Sequence, residues 1–109
     1  MMRALLVLLL LTVPALARAP TVSDPDLAPW FQGLKQPSGI TCCDQSDGHI
    51  LGDDEWREGK DAPQVKIDGA WVDVDAARVL KTENPTGRAV AFWLPGQSFV
   101  YCFIRPAQG

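Results

Sequence analysis

The segment from residue 64 to 74 constrains the fold most, because polar and apolar residues alternate around a central Asp68-Gly69 pair. This pair is typical of a two-residue type I′ turn, in which both residues adopt positive φ angles. The turn pairs the flanking residues one by one: Ile67 with Ala70, Lys66 with Trp71, and Val65 with Val72. The pairing predicts a β-hairpin with an apolar core face and an opposite face that carries Lys66 and Trp71.

A second hairpin is predicted from residue 88 to 104, around a loop at Pro95-Gly96-Gln97-Ser98. Alternation across this loop predicts one face with Val90, Phe92, Leu94, Phe99, Tyr101 and Phe103, and another with Ala89, Ala91, Trp93, Val100, Cys102 and Ile104. Both faces are apolar, so each needs a cover. A short helix over about residues 28–35, which contains Trp30, Phe31 and Leu34, is expected to cover one of them.

Three cysteines, Cys42, Cys43 and Cys102, cannot all pair within one chain. Adjacent cysteines can hardly bridge each other, so we expect a disulfide from Cys42 or Cys43 to Cys102. The small residues Ala89 and Ala91 would leave room for it on their face. Closing a loop of about sixty residues stabilises a small domain by about 4 kcal/mol in the chain-entropy model.

Three weaker patterns complete the predicted elements: a strand over residues 49–56 interrupted by Gly52, a helical turn over residues 75–80, and a type I turn at residues 84–87. Together they predict a mainly β fold, either a small antiparallel SH3-like barrel or a β-meander, with one short N-terminal helix and a disulfide staple. The predicted organisation is a signal peptide (1–17), an extended arm (18–29), one β-rich domain (30–106) and a tail (107–109).

The first seventeen residues have the features of a secretory signal peptide. Arg3 precedes an apolar run from residue 4 to 13, and Ala15-Leu16-Ala17 is a small-x-small cleavage site. This predicts a periplasmic or secreted protein without a membrane anchor after cleavage. Thirteen acidic residues against ten lysines and arginines give a net charge of −3, which argues against a nucleic-acid partner.

Asp44, Asp47 and His49 lie close to Cys43 and could in principle bind a divalent metal. Their spacing matches neither an EF-hand loop nor a zinc motif, and Asp and Ser before Gly are ordinary turn residues. A lone histidine gives no case for a catalytic triad. We therefore predict no metal, no cofactor and no enzymatic activity.

The aromatic residues are a better functional indication. Trp71 lies opposite Lys66, where a cation–π contact is available. With Trp56, Tyr101 or the charged loop, Trp71 could line a groove for a peptide or glycan; alternatively, it covers a second, smaller core.

These residues predict an exported, non-enzymatic binding module for a protein, peptide or glycan of the cell envelope. The alternative is a periplasmic inhibitor or stress protein that acts through the charged loop at residues 53–61. A metal-dependent enzyme with Asp44, Asp47 and His49 is a third possibility.

Several short motifs also resemble a family of small exported alphaproteobacterial proteins with no assigned function. They are Trp30-Phe31 with Leu34, Cys42-Cys43-Asp44 with Asp47, Asp68-Gly69-x-Trp71-Val72, Asn84-Pro85-Thr86-Gly87 and Cys102-Phe103-Ile104-Arg105-Pro106. In this family a fourth cysteine tends to stand where this chain has Gly48. The resemblance implies a second disulfide in relatives and leaves Cys42 or Cys43 as an unpaired remnant; it implies no activity.

Overall fold

The computed structural model describes residues 20–106, so the predicted signal peptide and tail lie outside the described residues. Within these residues the fold is mainly β, with one short helix, α1 (Ala28–Gly33). No helix in the described part has the length and apolar character needed to cross a membrane. The described part of the chain has seven strands, β1 (Gly48–Ile50), β2 (Trp56–Glu58), β3 (Pro63–Ile67), β4 (Ala70–Asp73), β5 (Val79–Leu80), β6 (Val90–Phe92) and β7 (Cys102–Ile104), with 3₁₀ turns at Gln45–Asp47 and Ala76–Arg78.

Residues 20–27 form turns where an extended arm was predicted. The backbone N–H of Asp24 donates to the Thr21 carbonyl, and the N–H groups of Leu27 and Ala28 donate to the Asp24 carbonyl. The Asp24 carboxylate also accepts from the Thr21 N–H and hydroxyl. Short polar side chains that hydrogen-bond to the nearby backbone favour turns over an extended chain. The extended arm was predicted from the lack of apolar periodicity, which does not distinguish these two conformations.

The strands form two sheets. One has four strands in the order β1-β6-β7-β5, and the other has three in the order β2-β3-β4. All pairs are antiparallel except β5 with β7, which run parallel. The strand predicted over residues 49–56 is thus two strands in different sheets, separated by a turn in which the Glu55 N–H donates to the Gly52 carbonyl.

The register of the first hairpin, β3–β4, is as predicted. Ile67 pairs with Ala70, Lys66 with Trp71, and Val65 with Val72. Asp68 and Gly69 have φ angles of 50° and 83°, which a type I′ turn requires.

The second hairpin forms, but its predicted faces are wrong for β7. Phe92 pairs with Cys102 and Val90 with Ile104, so nine residues separate the first pair. The predicted loop of four residues is even in number. An odd number of intervening residues shifts the register by one position, and such a shift moves the side chains of a strand to the other face. Cys102 and Ile104 therefore lie with Val90 and Phe92, whereas Phe103 lies with Ala91.

The Cys42–Cys102 disulfide joins the helical segment to β7, with Cα atoms 5.6 Å apart and a sequence separation of 60. The bond lies on the Val90 and Phe92 face instead of beside Ala89 and Ala91. Phe31 and Leu34 pack in the same cluster, as expected of the helix that covers this face. The predicted bond is confirmed, and its partner is Cys42.

The other face of the four-stranded sheet packs on the three-stranded sheet. Ala91 and Phe103 belong to a buried cluster with Val65, Ile67 and Val74. The four-stranded sheet is therefore the middle layer, between the helical segment and the three-stranded sheet. This arrangement explains why β6 and β7 are apolar on both faces.

Candidate functional site

The outer face of the three-stranded sheet carries a row of polar side chains. Arg57, Gln64 and Asp73 lie opposite one another on β2, β3 and β4. Arg57 Nε donates to Gln64 Oε1 at 2.6 Å, and Gln64 Nε2 donates to Asp73 Oδ1 at 2.6 Å. Cross-strand bonds of this kind hold the long Arg57 side chain along the sheet.

Trp71 lies beside this row and is partly exposed, as predicted. The Arg57 guanidinium carbon is 4.0 Å from the centroid of the indole ring, and Lys66 Nζ is 5.8 Å from it. Both distances fall within the range of cation–π attraction. We call Arg57, Lys66 and Trp71 the Trp71 surface; it presents two cations and an aromatic ring.

A groove of about 480 Å³ adjoins this surface, and Lys66 lines it. Its other lining residues include His49, Glu55, Asp68 and Trp93. The imidazole of His49 stacks on the indole of Trp93, with ring centroids 3.5 Å apart and planes within 1° of parallel. Lys66 thus touches both the Trp71 surface and the groove, which makes them one continuous region.

His49 is held by strand pairing. It lies on β1 opposite Ala91 of β6, and Trp93 follows two residues after Ala91. Residues two apart on a strand share a face, so the two rings meet. Partial burial lowers the pKa of His49, and the charges of Asp47 and Glu55 offset part of this effect. The partial burial therefore favours the neutral imidazole over the charged form.

Two predicted members of the aromatic surface lie elsewhere. Trp56 pairs with Val65 on the core face of the sheet, and its ring lies 5.6 Å from that of Phe103. Tyr101 is 4.9 Å from Phe99 and donates its hydroxyl to Gln97. The alternation along β2 and β3 sends Trp56 to the opposite face from Trp71. Tyr101 directly precedes β7, which belongs to the four-stranded sheet. Neither residue therefore joins Trp71.

Asp44 and Asp47 shape a turn. The Asp44 N–H donates to Asp47 Oδ2, and the Asp47 N–H donates to the Asp44 carbonyl. Among residues 20–106, no three His, Cys, Asp or Glu side chains come together in a way that could hold a metal ion. The weak metal candidates Asp44, Asp47 and His49 therefore form no donor set.

Cys43 has a free thiol and a φ angle of 70°. Burial raises the pKa of the thiol, and the negative charges of Asp47 and Asp44 raise it further. The thiolate, which is the nucleophile, is thereby disfavoured. At Gly48, where the resemblance implies a cysteine in relatives, a Cβ would lie 3.1 Å from the Phe92 ring. A side chain at this position would require the ring to shift.

The charged segment 53–61 is not a free loop, because β2 runs through its centre. Arg57 bonds to Gln64, and Glu58 accepts two hydrogen bonds from Arg105, at 2.8 and 2.9 Å. This pair lowers the pKa of Glu58. The interspersed charges are typical of a solvated loop, but the segment contains a strand whose other face packs Trp56 against the core.

The sequence did not predict the roles of Arg57 and Trp93. Arg57 lies in a run of charges that indicates solvent, and only its position opposite Gln64 brings it to Trp71. The His49–Trp93 stack depends on pairing between residues more than forty positions apart, for which no local pattern exists.

Comparison of the chain with protein-family models, curated proteins and solved structures gives no match. The resemblance to small exported alphaproteobacterial proteins stays a prediction, and function must be argued from the residues themselves.

Proposed function

We propose that this protein is an exported, non-enzymatic binding module whose ligand lies on the Trp71 surface and in the adjoining groove. The observation that carries the proposal is the position of Lys66, which contacts the Trp71 ring and lines the groove with His49 and Trp93. Export rests on the predicted signal peptide. It agrees with the Cys42–Cys102 disulfide, which needs an oxidising compartment.

The chemistry of the region favours an anionic ligand with an apolar ring or chain. Arg57 uses Nε for Gln64, so its two Nη groups are free to donate. Lys66 Nζ forms no hydrogen bond or ion pair with a described residue. Two donors beside an indole suit a carboxylate attached to a sugar ring or an extended chain. The inhibitor alternative gains no support, because the centre of segment 53–61, Trp56–Glu58, is held in the sheet as β2.

Titration of intrinsic tryptophan fluorescence with an oligouronate and with a neutral oligosaccharide of equal length tests the proposal. We expect the oligouronate to bind more tightly, and Lys66→Gln or Trp71→Ala to weaken it by at least about tenfold, or 1.4 kcal/mol. Lys60→Gln, an exposed lysine outside this surface, is the matched control. Equal binding of both sugars, or an equal loss in Lys60→Gln, would contradict an anionic ligand at Trp71.

A further inference from the structure

Two uncharged turns each lead to an exposed apolar side chain. In the first turn, the Gln36 N–H donates to the Ile40 carbonyl, and Gly39 between them has a φ angle of 91°. The second turn, residues 95–98, leads to Phe99. Ile40 and Phe99 are the exposed large apolar residues in the described part of the chain, at 63% and 42%. Single exposed apolar residues are ordinary on protein surfaces, so their significance depends on what surrounds them.

Arg78 connects the two turns. Its Nη1 donates to Gln36 Oε1 at 3.0 Å, and its guanidinium carbon lies 4.6 Å from the centroid of the Phe99 ring. Gln36 bonds in turn to Ile40, so one cation joins two turns that are distant in sequence. The two exposed apolar residues therefore belong to one connected part of the surface.

Other positive charges lie beside these turns. Lys35 directly precedes the first turn and lines a groove of about 390 Å³ together with Lys81. Neither lysine nor Arg78 forms an ion pair with any residue between 20 and 106. The carboxylate of Asp75, which precedes Arg78 on the same turn of chain, accepts a hydrogen bond from the Ala77 N–H. The name Ile40 surface is used below for two apolar residues and three cations: Ile40, Phe99, Lys35, Arg78 and Lys81.

Most acidic residues lie in another part of the chain. Eight of the thirteen belong to residues 53–75, the segment that contains the three-stranded sheet. Residues 27–43, which include α1, contain Lys35 and no acidic residue. Residues 76–106 carry four lysines and arginines against one acidic residue, Glu83. The charge is therefore unevenly distributed despite the net value of −3, and the Ile40 surface belongs to the positive part.

We propose that the Ile40 surface binds the face of an anionic phospholipid bilayer. Ile40 and Phe99 insert among the lipid headgroups, and the three cations face the lipid phosphates. Apolar side chains that project from turns suit a bilayer, which deforms around them, whereas a small ligand needs a concave site. The predicted export would bring the chain to the membranes of the cell envelope.

This surface is separate from the Trp71 surface. The turn at residues 36–40 follows α1 in the helical segment, and Trp71 lies on the outer face of the three-stranded sheet. The middle sheet lies between these two layers, so the Trp71 surface stays open to its own ligand when the Ile40 surface is on a bilayer. The two proposals depend on different residues, and either can fail without the other.

Co-sedimentation with lipid vesicles tests the proposal. One set of vesicles is pure phosphatidylcholine, and the other is an equal mixture of phosphatidylcholine and phosphatidylglycerol. All proteins are prepared from Arg18 onward, because the apolar run at residues 4–13 would itself bind lipid; this chain contains both core clusters and the disulfide. We expect binding to the anionic vesicles only, and a decrease in binding as the salt concentration is raised.

Variants separate the apolar contribution from the charge. Ile40→Ser should weaken binding at least about fivefold, because it removes an apolar side chain from the interface. Lys81→Gln should weaken it by about the same factor, which is the contribution of one cation near an anionic surface. Trp71→Ala and Lys60→Gln make comparable changes elsewhere and should leave binding unchanged. Ile40 belongs to neither core cluster, so Ile40→Ser should fold normally, which denaturant unfolding checks.

Backbone amide NMR with a spin-labelled phospholipid in anionic bicelles gives a second readout that needs no variant. Amides close to the bilayer lose signal through paramagnetic relaxation. We expect this loss at residues 38–40 and 98–100, and none at residues 70–73 of β4.

Three results would overturn the proposal: no sedimentation with anionic vesicles, equal binding to neutral vesicles, or signal loss centred on β4. Self-association that Ile40→Ser abolishes, without vesicle binding, would also overturn it, because a second copy of the chain would then cover the Ile40 surface.

Discussion

Cys43 illustrates how neighbouring residues set the chemistry of a side chain. Its thiol is partly buried and lies near the carboxylates of Asp47 and Asp44. Both the burial and the negative charges disfavour the thiolate. We expect iodoacetamide to modify Cys43 in the native protein more slowly than it modifies an unstructured cysteine peptide at pH 8. Asp44→Asn should raise the rate, since it removes one of the negative charges.

Quantifying the modified peptide by mass spectrometry checks this. A native rate at or above that of the free peptide would show that Cys43 is activated, and it would reopen a functional role for the thiol.

His49 gives the protein a pH-dependent contribution to stability. Partial burial lowers its pKa in the folded state, so the unfolded chain binds more protons once the pH falls below about 6.5. The contribution of His49 to the free energy of unfolding should therefore be complete above this pH. It should decrease as the pH falls towards the folded-state pKa.

Urea unfolding at pH 7.5 and pH 5.0 measures the effect. We expect wild type to lose stability between these values and His49→Asn to lose less, since asparagine does not titrate. An identical loss in both proteins would assign the pH dependence to other groups.

At the scale of the strand, Trp71 lies on the outer face of β4 and not in either core cluster. Its replacement by alanine removes two cation–π contacts but leaves the cores intact. We expect Trp71→Ala to cost less than the roughly 3–5 kcal/mol of a core aromatic residue. Ile67→Ala, on the inner face of β3, is the control and should cost about 2–5 kcal/mol.

Denaturant unfolding of both variants beside wild type gives the comparison. If Trp71→Ala loses as much as a core aromatic, then Trp71 is chiefly structural, and the proposed ligand surface loses its central residue.

The two hairpins show where sequence reasoning succeeds at this scale. The Asp68-Gly69 turn admits one register, so the pairing and the exposure of Trp71 were predictable. The nine-residue connection after Phe92 admits several registers, and the faces of β7 could not be derived from alternation alone. The candidate site was partly predictable for the same reason. Lys66 and Trp71 share a local hairpin, whereas Arg57, His49 and Trp93 reach the site through pairing that is not local.

At the scale of the whole molecule, one disulfide fixes the helical layer to the middle sheet. We expect Cys102→Ser to lower stability by roughly 2–5 kcal/mol, because it frees a sixty-residue loop. Cys43→Ser is the matched control and should change stability little, since this thiol is unpaired. Non-reducing peptide mapping checks the pairing; recovery of Cys102 as a free thiol from exported protein would contradict it.

Export itself is testable on the intact chain. We expect cleavage between Ala17 and Arg18 when the protein is produced with its predicted signal peptide in a bacterium with a periplasm. Intact-mass measurement of the periplasmic fraction gives the new N-terminus. A mass that retains Met1 would contradict export by this route.

The free thiol next to Cys42 also has a consequence for oxidative maturation. Cys42 and Cys43 are adjacent and compete to form a disulfide with Cys102. A Cys43–Cys102 isomer is chemically accessible while the chain is still unfolded. Packing decides between them, because Cys42 is 1% exposed inside the core and Cys43 lies outside it. Once the correct bond is buried, the raised pKa of Cys43 slows its attack on that bond. The same thiol that allows isomerisation early thus becomes a poor catalyst of it later, and the mature protein should persist as a single covalent species.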